Sequence, residues 1–210
     1  NKHKIVDLDD KDGISQFILT GNGNNSYQSI LQKGGSYGDI SGITLLRDDQ
    51  GRIIFAGSGT ADDPYRPQSN GFGVIGNPNP TFQLGWTNSL TYKDISLSLL
   101  VDGRFGGQVL SMTQMLLDQY GVSKETGDAR DRGYVAVNGV DESGKAVSKV
   151  DPAAWYGAIG GRSGISEPYM YSATVVRLRE ASLGYTFPIN NKNSFFHSVK
   201  ASLIGRNLIY

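Results

Sequence analysis

The residues with the most chemical potential are few and badly placed for catalysis. His3 and His197 are the only histidines, and neither stands near a serine nucleophile motif or in a metal-ligand pattern, so each reads as a solvated or turn residue. Carboxylates occur as sequence neighbours, Asp9-Asp10, Asp48-Asp49 and Asp62-Asp63, in polar turns where solvation rather than acid-base work is the usual role. Glycoside hydrolysis needs two carboxylates converging across a cleft, which adjacency in sequence does not supply. The acidic turn DLDDKDG imitates a calcium loop. With Gly13 at the sixth position, however, the first and twelfth ligands are Leu8 and Leu19, which carry no oxygen. An EF-hand is excluded, and a looser cation site at this turn is left open.

Two glycine motifs fail for physical reasons. Gly71 to Gly76 spells G-x-G-x-x-G, but no strand precedes it and Asn77-Pro78-Asn79-Pro80 forbids the helix whose N-terminus would hold a pyrophosphate. Gly139 to Lys145 approaches a P-loop, yet Ala146 replaces the magnesium-binding hydroxyl and Pro152 follows too soon for a regular helix. The sequence therefore predicts no catalytic residue, no metal ligand set and no cofactor. What remains is binding: Trp155, Tyr156, Tyr169 and Tyr171 offer flat rings on which a cargo could stack, with packing of the surrounding segment onto itself as the plainer use of the same rings.

Composition limits the partners. Twenty basic and twenty acidic side chains cancel, so there is no electrostatic case for nucleic acid. Without cysteine there is no disulfide framework and no thiolate metal site. Gly at 28 of 210 residues and 11 tyrosines are high counts, and charged residues at 19% are low. The mean hydropathy of −0.31 is silent about a barrel, because lumen-facing residues offset lipid-facing ones.

The elements that would position these groups centre on residues 81–105. Phe82, Leu84, Trp86, Leu90 and Tyr92 share one parity, and Thr81, Gln83, Gly85, Thr87, Ser89 and Thr91 the other, with Asn88 the polar exception. Beyond Lys93-Asp94, Ile95, Leu97, Leu99, Val101 and Phe105 alternate with Ser96, Ser98, Asp102 and Arg104. This is an antiparallel hairpin with one apolar and one polar face. Ten steps from Phe82 to Tyr92, at ~3.3 Å per residue and a tilt near 40°, rise roughly 25 Å, the height of a transmembrane barrel's apolar band. Phe82, Tyr92 and Phe105 fall where interfacial aromatic girdles belong.

Elsewhere the sequence predicts a short strand over 16–20, strand or helix over 27–31, and a hairpin turn at Asp49-Gln50-Gly51. Residues 57–80 read as a loop, 110–121 as a helix with Ser111 and Gln114 as a capping box, and 122–168 as irregular. Long strands return at 174–187 and 199–207. In the former, Arg177 and Arg179 fall on the apolar parity, which requires them to sit at a membrane interface. The links run short, long, short, the asymmetry of periplasmic turns and external loops, with residues 106–173 as a large extracellular loop carrying the short helix.

Three segments in order, VIGNPNPTFQLGWTNSLTYKDISLSLLVDGRFGG, YSATVVRLREASLGYTFP and SLIGRNL, with GGSYGDISGITLLRDDQGRI upstream, resemble the C-terminal barrel region of the SusC/RagA family of TonB-linked outer-membrane transporters. The resemblance spans residues 33–210. It implies an all-β fold, part of a 22-stranded antiparallel transmembrane barrel in the outer membrane. It further implies a SusD-like lipoprotein lid, drive from the TonB complex through an N-terminal part absent here, and oligosaccharide or oligopeptide cargo. No signal peptide begins at Asn1, and family members continue past GRNL, so the sequence reads as a segment of a longer polypeptide. Gln83, Asn88, Asp102, Arg104, Glu180 and Arg206 are the lumen-facing residues under this reading. The competing class is a soluble β-rich glycan-binding module, whose strands should be shorter and whose outer faces polar.

Overall fold

The computed structural model describes residues 4–8, 13–20, 26–189, 195 and 197–209. His3, Asp9, Asp10 and the 21–25 loop lie outside the described residues, and with them most of the acidic turn. In chain order the first elements are β1 (Gln16–Thr20), β2 (Tyr27–Gln32), β3 (Asp39–Leu45), β4 (Ile53–Ala56), β5 (Arg66–Pro67), β6 (Ser69–Gly76), β7 (Phe82–Tyr92), β8 (Ile95–Phe105) and β9 (Gln108–Leu110). There follow α1 (Met112–Gln119), α2 (Lys124–Arg132), β10 (Val135–Asp141), β11 (Ala146–Val150), α3 (Pro152–Ile159), β12 (Met170–Ser172), β13 (Val175–Pro188) and β14 (Ser198–Ile209). They fall into two units, Pro80–Gly107 with Ala173–Tyr210, and Lys2–Asn79 with Gln108–Ser172.

The first unit is an antiparallel sheet in the order β14-β13-β8-β7. Its hairpin is the predicted one: Tyr92 pairs with Ile95 and Phe82 with Phe105 across the Lys93-Asp94 turn. These strands are 11, 11, 14 and 12 residues long, about twice the usual length in soluble sheets. Their apolar face is open: Leu84, Trp86, Leu90, Leu183 and Leu203 all expose roughly half or more of their surface. Aromatic residues mark both ends of that face. Phe82 stacks on Phe105 at 4.5 Å near one end, and Tyr185 meets Phe187 edge-on at 4.6 Å near the other, where Tyr92 also lies.

One parity expectation is overturned. The register of β13 slips at Arg179, with Leu178 opposite Val101 but Glu180 opposite Leu100, so Arg179 is an extra residue in a β-bulge. A one-residue slip moves everything on one side of it to the other face. Arg177 consequently lies opposite Asp102 on the polar face, and Arg179 reaches the same carboxylate. Neither arginine has to be excused by an interfacial position.

The second unit holds the closed core: Leu45, Ile53, Phe55, Met115, Val147, Val150, Ile159, Ile165 and Tyr169. It contains two four-stranded sheets, β1-β2-β3-β6 and β11-β10-β4-β5, and a β12-β9 pair. Segment 27–31, open between strand and helix from sequence, is strand β2. Residues 108–172 fold together with residues before the hairpin. They join residues 2–79 through the parallel pairing of β10 with β4, and through Glu167, which accepts the Leu45 N–H at 2.7 Å and pairs with Arg47 at 2.9 Å. The expected loop over 57–80 contains β5 and β6, the latter paired with β3. Glycine permits that approach: a Cβ on Gly42, which pairs with Gly73, would meet the Ser166 Oγ at 2.3 Å and the Ile75 Cδ1 at 2.5 Å.

The irregular stretch of the sequence reading is two helices and a hairpin. Helix α1 begins where predicted, capped by Ser111 Oγ accepting the Gln114 N–H. Only half of the expected capping box forms, because the Gln114 amide turns away and donates to Asp118 and Glu125. Helix α2 is capped by Ser123 and stopped by Gly133 at φ 81°. Pro152 starts α3 rather than preventing it, standing in the first turn behind the Asp151 cap where its missing N–H costs nothing. The near P-loop is the β10–β11 turn. Asp141 accepts from the Ser143 Oγ, the Ser143 N–H and the Lys145 N–H, and these bonds, that from the Ser143 hydroxyl foremost, hold its carboxyl below the usual range. The G-x-G-x-x-G run lies on strand β6 and starts no helix.

Candidate functional site

The long sheet gathers charge on its polar face near the ends joined to residues 106–173. Cross-strand pairing sets Gln83 against Arg104, Asp102 against Gly85 and Arg177, and Glu180 against Arg206. Arg179 grips Asp102 with two bonds, Nε to Oδ1 at 2.7 Å and Nη2 to Oδ2 at 3.2 Å. Arg206 Nε donates to Glu180 Oε2 at 3.0 Å. Such solvent-screened pairs contribute little to stability, so their importance is positional. A cavity of about 410 Å³ opens among Gln83, Gly85, Asp102, Arg104, Arg177 and Arg179. Toward the Lys93-Asp94 turn the same face changes to hydroxyls, including Ser89 facing Ser98 with oxygens 3.4 Å apart, then Thr91, Ser96 and Ser202.

Of the six residues assigned to the lumen from sequence, Gln83, Asp102, Arg104, Glu180 and Arg206 share this polar face. Asn88 does not. It pairs with Leu99 between Trp86 and Leu90 on the apolar face, where its own parity put it. Arg177 and Arg179 are the face's missed members, hidden by a bulge that no local pattern announces.

The four candidate stacking rings are not one site. Tyr169 is 2% exposed and belongs to the core, so it has no free ring face. Trp155 packs against the buried Phe55 with ring centres 6.2 Å apart. Tyr156 is half-buried beside a cavity of about 190 Å³ that it lines with Asp118 and Arg130. Tyr171 is exposed on β12. Burial first, and the Asp118 and Glu125 carboxylates second, push the phenols of Tyr156 and Tyr171 upward, and burial with Asp118 pushes Tyr169 further. All three remain neutral near pH 7.

Two tyrosines the sequence reading passed over line a larger cleft of about 570 Å³, Tyr65 and Tyr134, with Lys149 and Asp151. Lys149 Nζ lies 4.3 Å from the Tyr134 ring centre and the Arg132 guanidinium 5.4 Å from it, so this ring is already engaged by cations. Among the described residues no group of three or more His, Cys, Asp or Glu side chains could hold a metal ion, and no helix is long and apolar enough to cross a membrane.

No protein-family model matches the chain. A TonB-dependent receptor P3 of Formosa agariphila is 26% identical over 228 aligned residues, covering all of this chain and 21% of that protein. In fold the chain matches the RagAB peptide importer in its closed-closed state, with TM-score 0.60, 15% identity, and coverage of 94% of this chain and 21% of that one. The likeness is in sequence to a TonB-dependent receptor and in fold to part of the RagAB importer. Sequence and fold agree on part of an outer-membrane β-barrel, all-β in its wall, and among the described residues no helix is long and apolar enough to cross a membrane. The chain spans about a fifth of the length of the Formosa receptor and of the RagAB chain that it matches. Both are named for reception or import, not for catalysis.

Proposed function

We propose that the chain supplies wall strands and an extracellular unit to a TonB-dependent importer of oligosaccharides or oligopeptides, working with a SusD-like lipoprotein. The observation that carries this reading is the two-faced sheet: four strands of 11 to 14 residues whose large apolar side chains face outward between aromatic ends, and whose opposite face holds charges and hydroxyls. Water on both faces would leave the outward leucines and Trp86 solvated, and a soluble sandwich would instead bury one face against a second sheet. The glycan-binding module is disfavoured by that exposure, by the burial of Tyr169 and by the packing of Trp155 against Phe55. Extension of the lid and TonB partnership to this chain is supported by the likeness to RagAB and to the Formosa receptor. Cargo class rests on the family reading alone.

The test is a blot of detergent-extracted envelopes with an antibody against residues 122–162, run with and without boiling. A heat-shifted outer-membrane band several times heavier than 22.7 kDa is the expected result. A soluble band that ignores heating would overturn it.

A further inference from the structure

We infer that a groove on the compact unit, passing Tyr120 with Arg162 on one side and Arg130 on the other, is a subsite for acidic oligosaccharide: a sugar ring lies on the tyrosine and carboxylates meet the guanidiniums. The inference rests on the importer reading and deepens it by naming a cargo class. Two cavities, of about 370 and 190 Å³, adjoin at Gln119, Tyr120 and Gly157, which line both. Arg162 and Ser163 stand in the wall of the larger, Arg130 and Tyr156 in that of the smaller. At their junction Tyr120 is 74% exposed. Both guanidiniums are available to an anion. Among the described residues neither is in an ion pair; the Arg162 side chain makes no hydrogen bond, and Arg130 donates only from Nη1, to the Gly121 carbonyl at 2.6 Å. Asp118 is the one carboxylate lining either cavity among the described residues. It is 4% exposed and accepts the Gln114 amide at 2.8 Å, so it offers a ligand little negative surface.

The groove is made by close packing. Residues 160–164 are laid across the end of α1, where the Gly161 N–H donates to the Met115 carbonyl at 2.8 Å. A Cβ on Gly160 would meet the Gln119 nitrogen at 2.8 Å and the Tyr156 carbonyl oxygen at 2.6 Å, so only glycine fits there. Gly161 turns at φ 83°, and the next two residues, Arg162 and Ser163, are exposed. Tyr120 is held by its backbone, whose N–H donates to the Leu116 carbonyl at 3.1 Å where α1 closes. Chemistry then favours an acidic sugar. Planar guanidinium forks match carboxylate geometry, and an exposed tyrosine ring takes the apolar face of a sugar ring. The Gln119 amide and the Ser163 hydroxyl both donate and accept, as sugar hydroxyls require. A peptide finds less here: both cavities are walled by helices and by the 157–164 segment, with no strand edge along which an extended backbone could pair.

The experiment uses the full-length transporter containing this sequence, purified in non-ionic detergent, and rhodamine-labelled probes read by fluorescence anisotropy. The probes are an oligogalacturonate, a maltooligosaccharide of equal length and a poly-glutamate peptide. At low ionic strength oligogalacturonate binds about tenfold more tightly than maltooligosaccharide, and the preference fades at high salt. Arg162→Gln, which breaks no side-chain bond within the described residues, lowers the preference about threefold, and adding Arg130→Gln removes the rest. Tyr120→Ala, which changes no charge, weakens oligogalacturonate as well. Lys145→Gln, at the β10–β11 turn of the same unit, leaves its binding intact. No preference in the wild type, or a preference that survives the double substitution, overturns the inference. So does poly-glutamate bound more tightly than oligogalacturonate through the same two arginines, because the site would then take acidic peptide. The heat-shifted envelope band is independent of all these outcomes, so the importer reading stands or falls separately.

Discussion

The two units answer opposite solvents with the same residue types. In the compact unit Phe55 and Met115 are fully buried, whereas in the long sheet Leu84 and Leu203 are 57% and 79% exposed. A leucine on the sheet's apolar face is thus correct only where the surroundings are hydrocarbon, and a phenylalanine in the compact core only where water is shut out. Polar groups invert likewise. Ser166 is wholly buried and donates to the Ser26 carbonyl at 2.7 Å, while the serines of the sheet line an open face.

That contrast can be broken most sharply on the sheet. Leu99→Arg or Leu97→Arg places a cation on the apolar face near mid-strand, a cost of about 2–4 kcal/mol per site in a membrane. Loss of the heat-shifted band is expected, while Ser96→Arg and Ser98→Arg, one residue away on the other face, assemble normally and change passage. Equal tolerance of both pairs would remove the membrane from the comparison. Deleting Arg179 should be nearly as severe, since closing the bulge forces either Arg177 or the Ala181-Leu183-Tyr185 series onto the wrong face. Replacing Arg179 by Gln keeps the bulge and should assemble.

In the compact unit Phe55→Ala empties the centre of the core, costing about 3–5 kcal/mol, and limited proteolysis should cut residues 108–172 while the long sheet stays protected. A smaller loss, about 1–3 kcal/mol, is expected for Gly139→Ala, whose Cβ would meet the Phe55 ring at 2.2 Å and the Ile53 carbonyl oxygen at 2.6 Å. Ser111→Ala, removing one helix cap, should cost about 1 kcal/mol and show only as earlier cleavage near α1.

The sheet was legible in sequence because its rule is local. Period-two alternation over 11 residues states strand, face and pairing together, so β7 and β8 emerged with their bounds and their turn. The bulge escaped because a single inserted residue leaves both halves of β13 alternating and changes only their phase. Most of the compact unit was illegible for a different reason. Strand β4 has four residues, and its parallel partner β10 lies more than eighty positions away, so no window contains the pair. Helix α2, KETGDARDR, has almost no apolar stripe and buries only Thr126 and Ala129. Its signals were at the ends, Ser123 before and Gly133 after. For α3 the signal was Asp151-Pro152, a cap followed by a first-turn proline, which the sequence reading took for a stop. Of the site, the charged parity was visible, but two of its arginines were not. The stacking rings were chosen by residue type alone; Tyr169 is buried in the core and Trp155 packs against Phe55.

The β7–β8 hairpin interrupts the sequence of the compact unit, and this bears on the order in which the chain can fold. Strand β4 is synthesised well before β10 and has nothing to pair with along that edge until the hairpin and two helices have followed it. The hairpin's own ends are tied by the Thr81 N–H donating to the Phe105 carbonyl at 2.8 Å, and Gln108 N–H donates to the Asn77 carbonyl at 2.8 Å just outside them. Once zipped, the hairpin is a short circuit between positions 79 and 108. The entropy saved in closing the remaining loop is only about a few tenths of a kcal/mol, because that term grows with the logarithm of length. Its effect is on sequence in time: local pairing goes first, and the distant strands then search a shorter tether.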